Sequence, residues 1–343
     1  MNKFMLNNNN KLNILIPNIP SGKKVEEIWP VNVEVNWVQT EYVNMRPDPA
    51  KLKNIDVLIG TSFTYEMSKY ANKLKAILIP AAGYEGIIVD ALPNGTIVAN
   101  AYHHEAPISE WVMMVASALD HNLIKSHITF SNGSWSQSPS RIGLYSELYN
   151  KTFGIIGLGN IGLRVAKLAL AYEMKVISTG RSKKNIPKYK KLGIEYFYGK
   201  NGIDEILKRS DFVLISTPLT EDTRNLIGKR ELDFMKKSAY IINPARGHII
   251  NEESLYNALK NRKISGAAID TWYTYPKDQK EEPRPSRFPF WNLDNVIMTP
   301  HHSGATHGTI ERRSLTIAEN IDRLSIGKPL INLLKDISKS NSI

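Results

Sequence analysis

The 343-residue sequence contains no cysteine. That absence excludes disulfides, thiolate metal centres and a cysteine nucleophile. It also lacks any apolar run near the ~20 residues that a membrane-spanning helix requires, so no membrane partner is expected. The first residues, Met1 to Leu6 followed by Asn7 to Asn10, show no long apolar segment and no small-residue cleavage site. A cytoplasmic location is the resulting expectation. No nucleic-acid-binding motif accompanies the net charge of +11, which comes from 44 basic and 33 acidic residues. The charge therefore points to anionic small molecules or a basic surface, not to nucleic acid. No His-x-x-x-His spacing occurs, and the side chains of His103-His104-Glu105 are too close in sequence to converge readily on one ion; no metal is expected. No short-period tandem repeat is present.

Short apolar runs are there in number. Leu12 to Ile16, Val57 to Ile59, Ile77 to Ile79 and Ile97 to Ala99 form a first series, each bounded by Pro, Gly or Asn. Phe153 to Ile156, Lys175 to Ser178, Phe212 to Ser216, Tyr240 to Ile242, Ala267 to Ile269 and Val296 to Met298 form a second. Nearly continuous Val/Ile/Leu runs suit parallel strands covered on both faces. Alternation with helical segments predicts an α/β protein with two doubly wound parallel-sheet domains, as the chain length favours. Between the series, Pro107 to about Ile124 reads as one long helix, with Trp111, Val115, Ala118 and Leu119 on one stripe. Two irregular stretches follow, Ser131 to Ser140 and the proline-rich Tyr273 to Trp291. The second is long for an ordinary loop. Its Arg284 and Arg287 read first as solvent-exposed, with contact to an anionic substrate or a partner subunit as the other reading.

The sharpest local signal is Gly157-Leu158-Gly159-Asn160-Ile161-Gly162. It follows the strand Phe153 to Ile156, precedes a helical pattern with Ile161, Val165 and Leu168 on one face, and leads to a second strand. That is the context of a dinucleotide fingerprint. Gly157 allows the tight turn, Gly159 lets the backbone approach a pyrophosphate, and Gly162 allows close packing of helix on strand. The end of the second strand, Ser178-Thr179-Gly180-Arg181-Ser182, lacks the acidic residue that binds the ribose 2′-hydroxyl of NAD. Gly180 stands at that position. Arg181 and Ser182 supply a cation and a hydroxyl for a 2′-phosphate, with Lys183 or Lys184 adding field. NADP is the expected cofactor, with NAD as the alternative.

Further motifs follow in order: Thr217-Pro218-Leu219-Thr220 with Thr223; Asn243-Pro244-Ala245-Arg246-Gly247; Gly266-Ala267-Ala268-Ile269-Asp270; and Pro300-His301 with Ser303-Gly304. Together with Gly157 to Gly162, this series is similar to that of the D-2-hydroxyacid dehydrogenases. The resemblance covers roughly residues 55 to 335 and is strongest from 150 to 304. It implies a Rossmann-type cofactor domain, residues 106–299, inserted into a flavodoxin-like substrate domain built from 1–105 and 300–343. Crossings near 105 and 300 would be hinges, with the active site in a cleft that closes. Arg246 would anchor the carboxylate and carbonyl of a 2-keto acid, a task suited to a planar guanidinium. His301 would be the acid and base, titrating near neutrality. The resemblance places Asp270 at the nicotinamide end and Thr217, Pro218, Thr223, Ala245 and Gly304 around the dinucleotide. The loop Pro80 to Gly86 matches the substrate loop loosely, with Ala82 and Gly83 as the equivalents whose N–H groups would hold the carboxylate. It also implies a homodimer formed through the Pro107 helix and Ser131 to Leu148.

The sequence departs from the family at one point. Relatives carry glutamate five residues after the equivalent of Asp270, hydrogen-bonded to the catalytic histidine; here Tyr275 stands there. A neutral phenol can orient His301 but stabilises its cation less. The expected activity is therefore hydride transfer between NADP(H) and a small 2-keto or D-2-hydroxy acid, as in glyoxylate and hydroxypyruvate reductases. Two alternatives stay open. Formate dehydrogenases carry a neutral residue at the glutamate position, and dinucleotide-sensing binding proteins share this fold and retain catalytic-looking residues.

Overall fold

A computed structural model describes residues 11–18, 24–43, 46–180, 183, 186–276 and 280–334. The chain forms two compact units, one from Met1–His103 with Thr306–Ile343 and the other from His104–Ala305.

The first unit contains strands Leu12–Pro17 (β1), Val35–Thr40 (β2), Tyr42–Val43 (β3), Arg46–Pro47 (β4), Val57–Ile59 (β5), Ala76–Ile79 (β6) and Ile97–Asn100 (β7). Five of them form a parallel sheet in the order β2-β1-β5-β6-β7, while β3 and β4 make a separate antiparallel pair. This order is that of flavodoxin-like folds. Successive residues feed opposite cores: Val57 and Ile59 enter one cluster with Ile14 and Ile16, and Leu58 enters the other with Leu15 and Ile77. The helix His307–Ser325 covers the first face through Ile317, Ala318 and Ile321.

The second unit contains Thr152–Ile156 (β8), Lys175–Gly180 (β9), Ile194–Tyr198 (β10), Phe212–Ile215 (β11), Tyr240–Asn243 (β12), Gly266–Ile269 (β13) and Val296–Met298 (β14). All pair in parallel, in the order β10-β9-β8-β11-β12-β13-β14. This is the Rossmann order extended by one strand. The same alternation holds. Phe212 and Leu214 lie in one core with Ile155 and Val176; Val213 and Ile215 lie in the other with Ile156 and Ile177. Strands covered on both faces need apolar residues at every position, which is why these segments read as unbroken runs.

The single helix expected over Pro107 to Ile124 is two. The first, Glu105–Asp120, begins two residues earlier and keeps Pro107 in its first turn; Asn122 then adopts φ +50° and a second helix runs Leu123–Ser131. The proline-rich stretch is tied to the unit by Glu252. This buried carboxylate accepts hydrogen bonds from Ser286 Oγ (2.8 Å), Arg287 N (2.9 Å) and Arg287 Nε (2.8 Å). Arg287 is thus paired with Glu252, and the Arg284 guanidinium stacks 4.6 Å from the Trp291 ring centroid. Among the described residues no helix is long and apolar enough to cross a membrane.

Candidate active site

The glycine-rich turn sits where β8 ends, between β9 on one side and β11 on the other. Strand order reverses direction here, the switch point at which open α/β sheets bind ligands. Each glycine has its own physical reason. Gly157 has φ +100°, and a Cβ on it would stand 2.8 Å from the Ser216 carbonyl oxygen. A Cβ on Gly162 would stand 2.3 Å from the Gly157 carbonyl oxygen. A Cβ on Gly159 would meet nothing within 4 Å; the space it faces is open, as a cradle for a pyrophosphate must be. Gly159 caps the helix Asn160–Ala171, whose first backbone bond is Leu163 N–H to the Gly159 carbonyl at 2.9 Å. The N–H groups of Asn160, Ile161 and Gly162 therefore lack an intrahelical acceptor and are available to an anion.

Across this turn, Ser216 Oγ donates to the Gly157 carbonyl at 2.5 Å. The neighbouring Thr217 Oγ1 is a buried polar atom with no hydrogen-bond partner among the described residues. Thr223 staples the following loop: its Oγ1 donates to the Pro218 carbonyl (2.7 Å) and accepts from Thr220 N (2.7 Å). The open cradle, the free helix terminus and the orphaned hydroxyl fit a dinucleotide. Gly180 closes β9. Lys183 Nζ lies 4.7 Å from the Tyr198 ring centroid beside it. Arg181, Ser182 and Lys184 lie outside the described residues.

The loop after β12 carries Arg246. Asn243 shapes it: its Oδ1 accepts from Ala245 N (3.1 Å) and its Nδ2 donates to the Arg246 carbonyl (3.0 Å). This is the local side-chain turn that Asn supplies. Arg246 Nη1 donates to the Ala245 carbonyl at 2.8 Å, and the side chain is part-buried. Gly247 is required here because a Cβ would stand 2.4 Å from the Trp272 carbonyl oxygen.

The loop after β14 carries His301, which adopts φ +57°, an uncommon region for a side-chain-bearing residue. Asp270, fully buried at the end of β13, holds it there. Its Oδ1 accepts from Thr299 Oγ1 (2.5 Å) and His302 N (3.1 Å); its Oδ2 accepts from Ser303 N (3.1 Å) and Ser303 Oγ (2.5 Å). Both oxygens of the Asp270 carboxylate thus tie down the loop that carries His301. Trp272 adds a second tie, its Nε1 donating to the Thr299 carbonyl at 2.9 Å. Gly304 closes the loop; a Cβ on it would stand 3.2 Å from His104 Cβ.

Tyr275 joins these parts. Its ring lies 5.6 Å from that of His301, centroid to centroid, and its hydroxyl accepts from Trp272 N at 3.0 Å. Burial pushes the phenol above its ordinary range, the hydrogen bond from Trp272 and the nearby Arg246 charge pull it down, and Asp270 pushes it up. The phenol is therefore neutral at physiological pH, within reach of the Arg246 field and packed on His301.

Ala82 and Gly83 belong to the first unit, in the loop after β6. Asn100, buried at the end of β7, donates its Nδ2 to the Ala82 carbonyl at 2.7 Å. That tie was missed from sequence, as were the latches of Thr299 and Ser303; strand-end Asn and Ser/Thr residues were the only local signal. His103 Nε2 lies in hydrogen-bonding contact with Thr316 Oγ1 at 2.7 Å.

A Rossmann sheet with a glycine-rich turn at its switch point, and with Arg246 and His301 on strand-end loops, is the architecture of a dinucleotide-binding domain. The family model for the D-isomer specific 2-hydroxyacid dehydrogenase NAD-binding domain matches residues 112–303. The chain is 35% identical over 319 residues to D-3-phosphoglycerate dehydrogenase of Methanocaldococcus jannaschii. That match covers 91% of this chain and 56% of the relative, so the chain spans little more than half that relative's length. It is 30% identical over 309 residues to hydroxypyruvate reductase of Thermotoga maritima, covering 89% of this chain and 95% of that one. A solved acyclic imino acid reductase in complex with NADPH and D-Arg superposes with a TM-score of 0.78 at 29% identity, covering 94% of this chain and 100% of that chain. The chain belongs to the D-2-hydroxyacid dehydrogenase family.

Proposed function

We propose that this protein reduces a small 2-keto acid of the glyoxylate and hydroxypyruvate class, with NADPH as the preferred reductant. The observation that carries this reading is Tyr275, which brings Arg246 and His301 into one neighbourhood on the sheet that carries the glycine-rich turn. When bound, the nicotinamide supplies the hydride. Asn160 to Gly162 would hold the pyrophosphate of the dinucleotide at the helix terminus, with Thr217 alongside. Arg246 binds the substrate carboxylate and polarises the carbonyl. His301 donates the proton to the carbonyl oxygen, and Tyr275 shields and orients its ring. The preference for NADPH rests on Gly180, where no carboxylate opposes a 2′-phosphate, with Arg181 and Ser182 as its proposed partners. Hydroxypyruvate reductase among the relatives and NADPH in the imino acid reductase support the same choice.

The protein acts in the cytoplasm as a homodimer in this reading. Support for the dimer is the apolar surface over Leu123 to Leu144, where Ile128, Phe130 and Trp135 are all more than half exposed and Leu144 is 94% exposed. Tyr275 also favours a second reading. Oxidation of formate to carbon dioxide passes a hydride without a general base, so a neutral residue at position 275, where the family carries glutamate, would serve it.

The test is oxidation of NADPH and NADH against glyoxylate, hydroxypyruvate, pyruvate and bulkier 2-keto acids, with formate plus NADP+ as a separate arm. Turnover of a keto acid that favours NADPH is expected. Turnover of formate alone replaces the reductase reading, and tight cofactor binding with no turnover leaves a dinucleotide sensor.

A further inference from the structure

The strand end that chooses the dinucleotide is shaped by a residue on the neighbouring strand. β10 runs beside β9 with Tyr196 opposite Ser178 and Tyr198 opposite Gly180. A Cβ on Gly180 would lie 2.6 Å from Tyr196 Oη, 3.6 Å from Cζ and 3.8 Å from Cε2. The first distance is a clash and the other two are ordinary contacts. The hydroxyl, not the ring, denies Gly180 a side chain. Backbone conformation is not the reason for glycine here, because Gly180 lies outside the positive-φ region.

Both sides of this contact are anchored. The Gly180 carbonyl accepts from Gly199 N at 3.2 Å, which ties the end of β9 to the turn after β10. The Tyr196 ring lies 5.0 Å from the buried Tyr189 and packs against the core under this end of the sheet. Moving the Tyr196 ring away from Gly180 would disturb that packing.

We infer that Tyr196 is a specificity-determining residue for the dinucleotide. Its hydroxyl fills the space from which an acidic side chain at position 180 would grow. An acid there accepts from a ribose 2′-hydroxyl and repels a 2′-phosphate; a neutral phenol carries no such charge. The choice between NADPH and NADH is thus a property of Gly180 and Tyr196 together, not of the strand-end residue alone. The inference rests on the NADPH reading above.

Four full-length proteins test it: wild type, Gly180→Asp, Tyr196→Phe and the double variant, with NADPH and NADH affinities measured by fluorescence. Gly180→Asp alone is expected to weaken NADPH at least tenfold and to tighten NADH less than threefold. Adding Tyr196→Phe in the Gly180→Asp background is expected to tighten NADH at least tenfold. Equal NADH affinity in the single and double variants overturns the inference. Should Gly180→Asp fail to fold, Gly180→Ala adds only the clashing Cβ. It is expected to lower the melting temperature by several degrees with Tyr196 intact and to lose most of that penalty with Tyr196→Phe. No recovery overturns the steric role. A wild-type preference for NADH overturns the NADPH reading instead, while the melting series still reports separately whether positions 180 and 196 are coupled.

Discussion

The hydroxyl of Tyr275 accepts a hydrogen bond from the Trp272 amide at 3.0 Å while its ring stands 5.6 Å from the imidazole of His301. The phenol oxygen is thus engaged by the backbone and the ring faces the histidine. A carboxylate at this position would instead place a negative charge beside the imidazolium and favour the protonated form, by about one unit or more. Reduction needs the protonated histidine, so its rate falls as pH rises through that ionisation. Tyr275→Glu is expected to move this descending limb about one unit or more to higher pH, read in kcat/KM for the keto acid. Tyr275→Phe keeps the ring, frees the Trp272 amide and should leave the limb within about half a unit. A limb that Tyr275→Glu does not move would show that position 275 has no electrostatic access to His301.

Asp270 acts on His301 from behind. Four hydrogen bonds converge on a carboxylate with no solvent exposure, and they fix a loop whose central residue has φ +57°. Asp270→Asn turns one acceptor into a donor that faces donors. Hydrogen bonds to charged groups contribute roughly 1.5–3 kcal/mol each, and a buried unmatched group costs about 1–3 kcal/mol. A destabilisation of about 2–4 kcal/mol is expected in denaturant unfolding, with kcat reduced at least tenfold. An unchanged kcat in a protein of lowered stability would mean that the loop holds His301 without Asp270.

The two units were legible where strands are central. β5 and β14 match the predicted runs residue for residue, and the others match within one or two residues at their ends. Four strands escaped: the short pair β3 and β4, two residues each, and β2 and β10, which stand at the edges of their sheets. Val35 to Thr40 and Ile194 to Tyr198 are only partly buried, so their apolar residues are interrupted and an unbroken-run criterion passes over them. The break at Asn122 escaped because neither Gly nor Pro marks it; Asn tolerates the left-handed conformation well enough to end a helix. At the site, Gly157, Gly159 and Gly162 could be assigned separate tasks from spacing alone. Asp270 could not, because its partners Thr299, His302 and Ser303 lie about thirty residues on and meet it only through the β13–β14 pairing. Tyr196 escaped for the same reason: its clash with Gly180 exists only in the β9–β10 register.

Glu252 makes the proline-rich loop sensitive to acid. Burial pushes its carboxyl upward, but hydrogen bonds from Arg287 N, Ser286 and the Arg287 guanidinium more than offset this and hold it below the ordinary range. A depressed carboxyl contributes stability that is present above its unfolded-state value and is lost as pH falls through the folded one. Between neutral pH and about pH 5 the loop should be unaffected; below about pH 4.5 it should loosen. Glu252→Gln is expected to cost about 1–2 kcal/mol at pH 7 and to flatten the pH dependence between about 5 and 3. Hydrogen exchange over Arg284 to Phe290 would report it. Equal acid sensitivity in wild type and variant would place the titrating group elsewhere.

The proposed dimer surface can be separated from catalysis. Leu144 is 94% exposed and Phe130 is 57% exposed, and neither belongs to the core clusters of the second unit. Phe130 stands edge-on to Trp135 at 4.9 Å, which holds two aromatic rings at the surface. Burying such side chains against a second copy would contribute roughly 1.5–3 kcal/mol each, doubled by the two-fold relation of a homodimer, in which each surface appears twice. Leu144→Asp combined with Phe130→Ser should therefore raise the dimer dissociation constant by two or more orders of magnitude, measured by sedimentation equilibrium. In an exposed setting, the same substitutions would change monomer stability by no more than about 0.5 kcal/mol. A wild type that sediments as a monomer would remove the dimer from the proposal, and a variant that remains dimeric would move the interface away from Leu123 to Leu144.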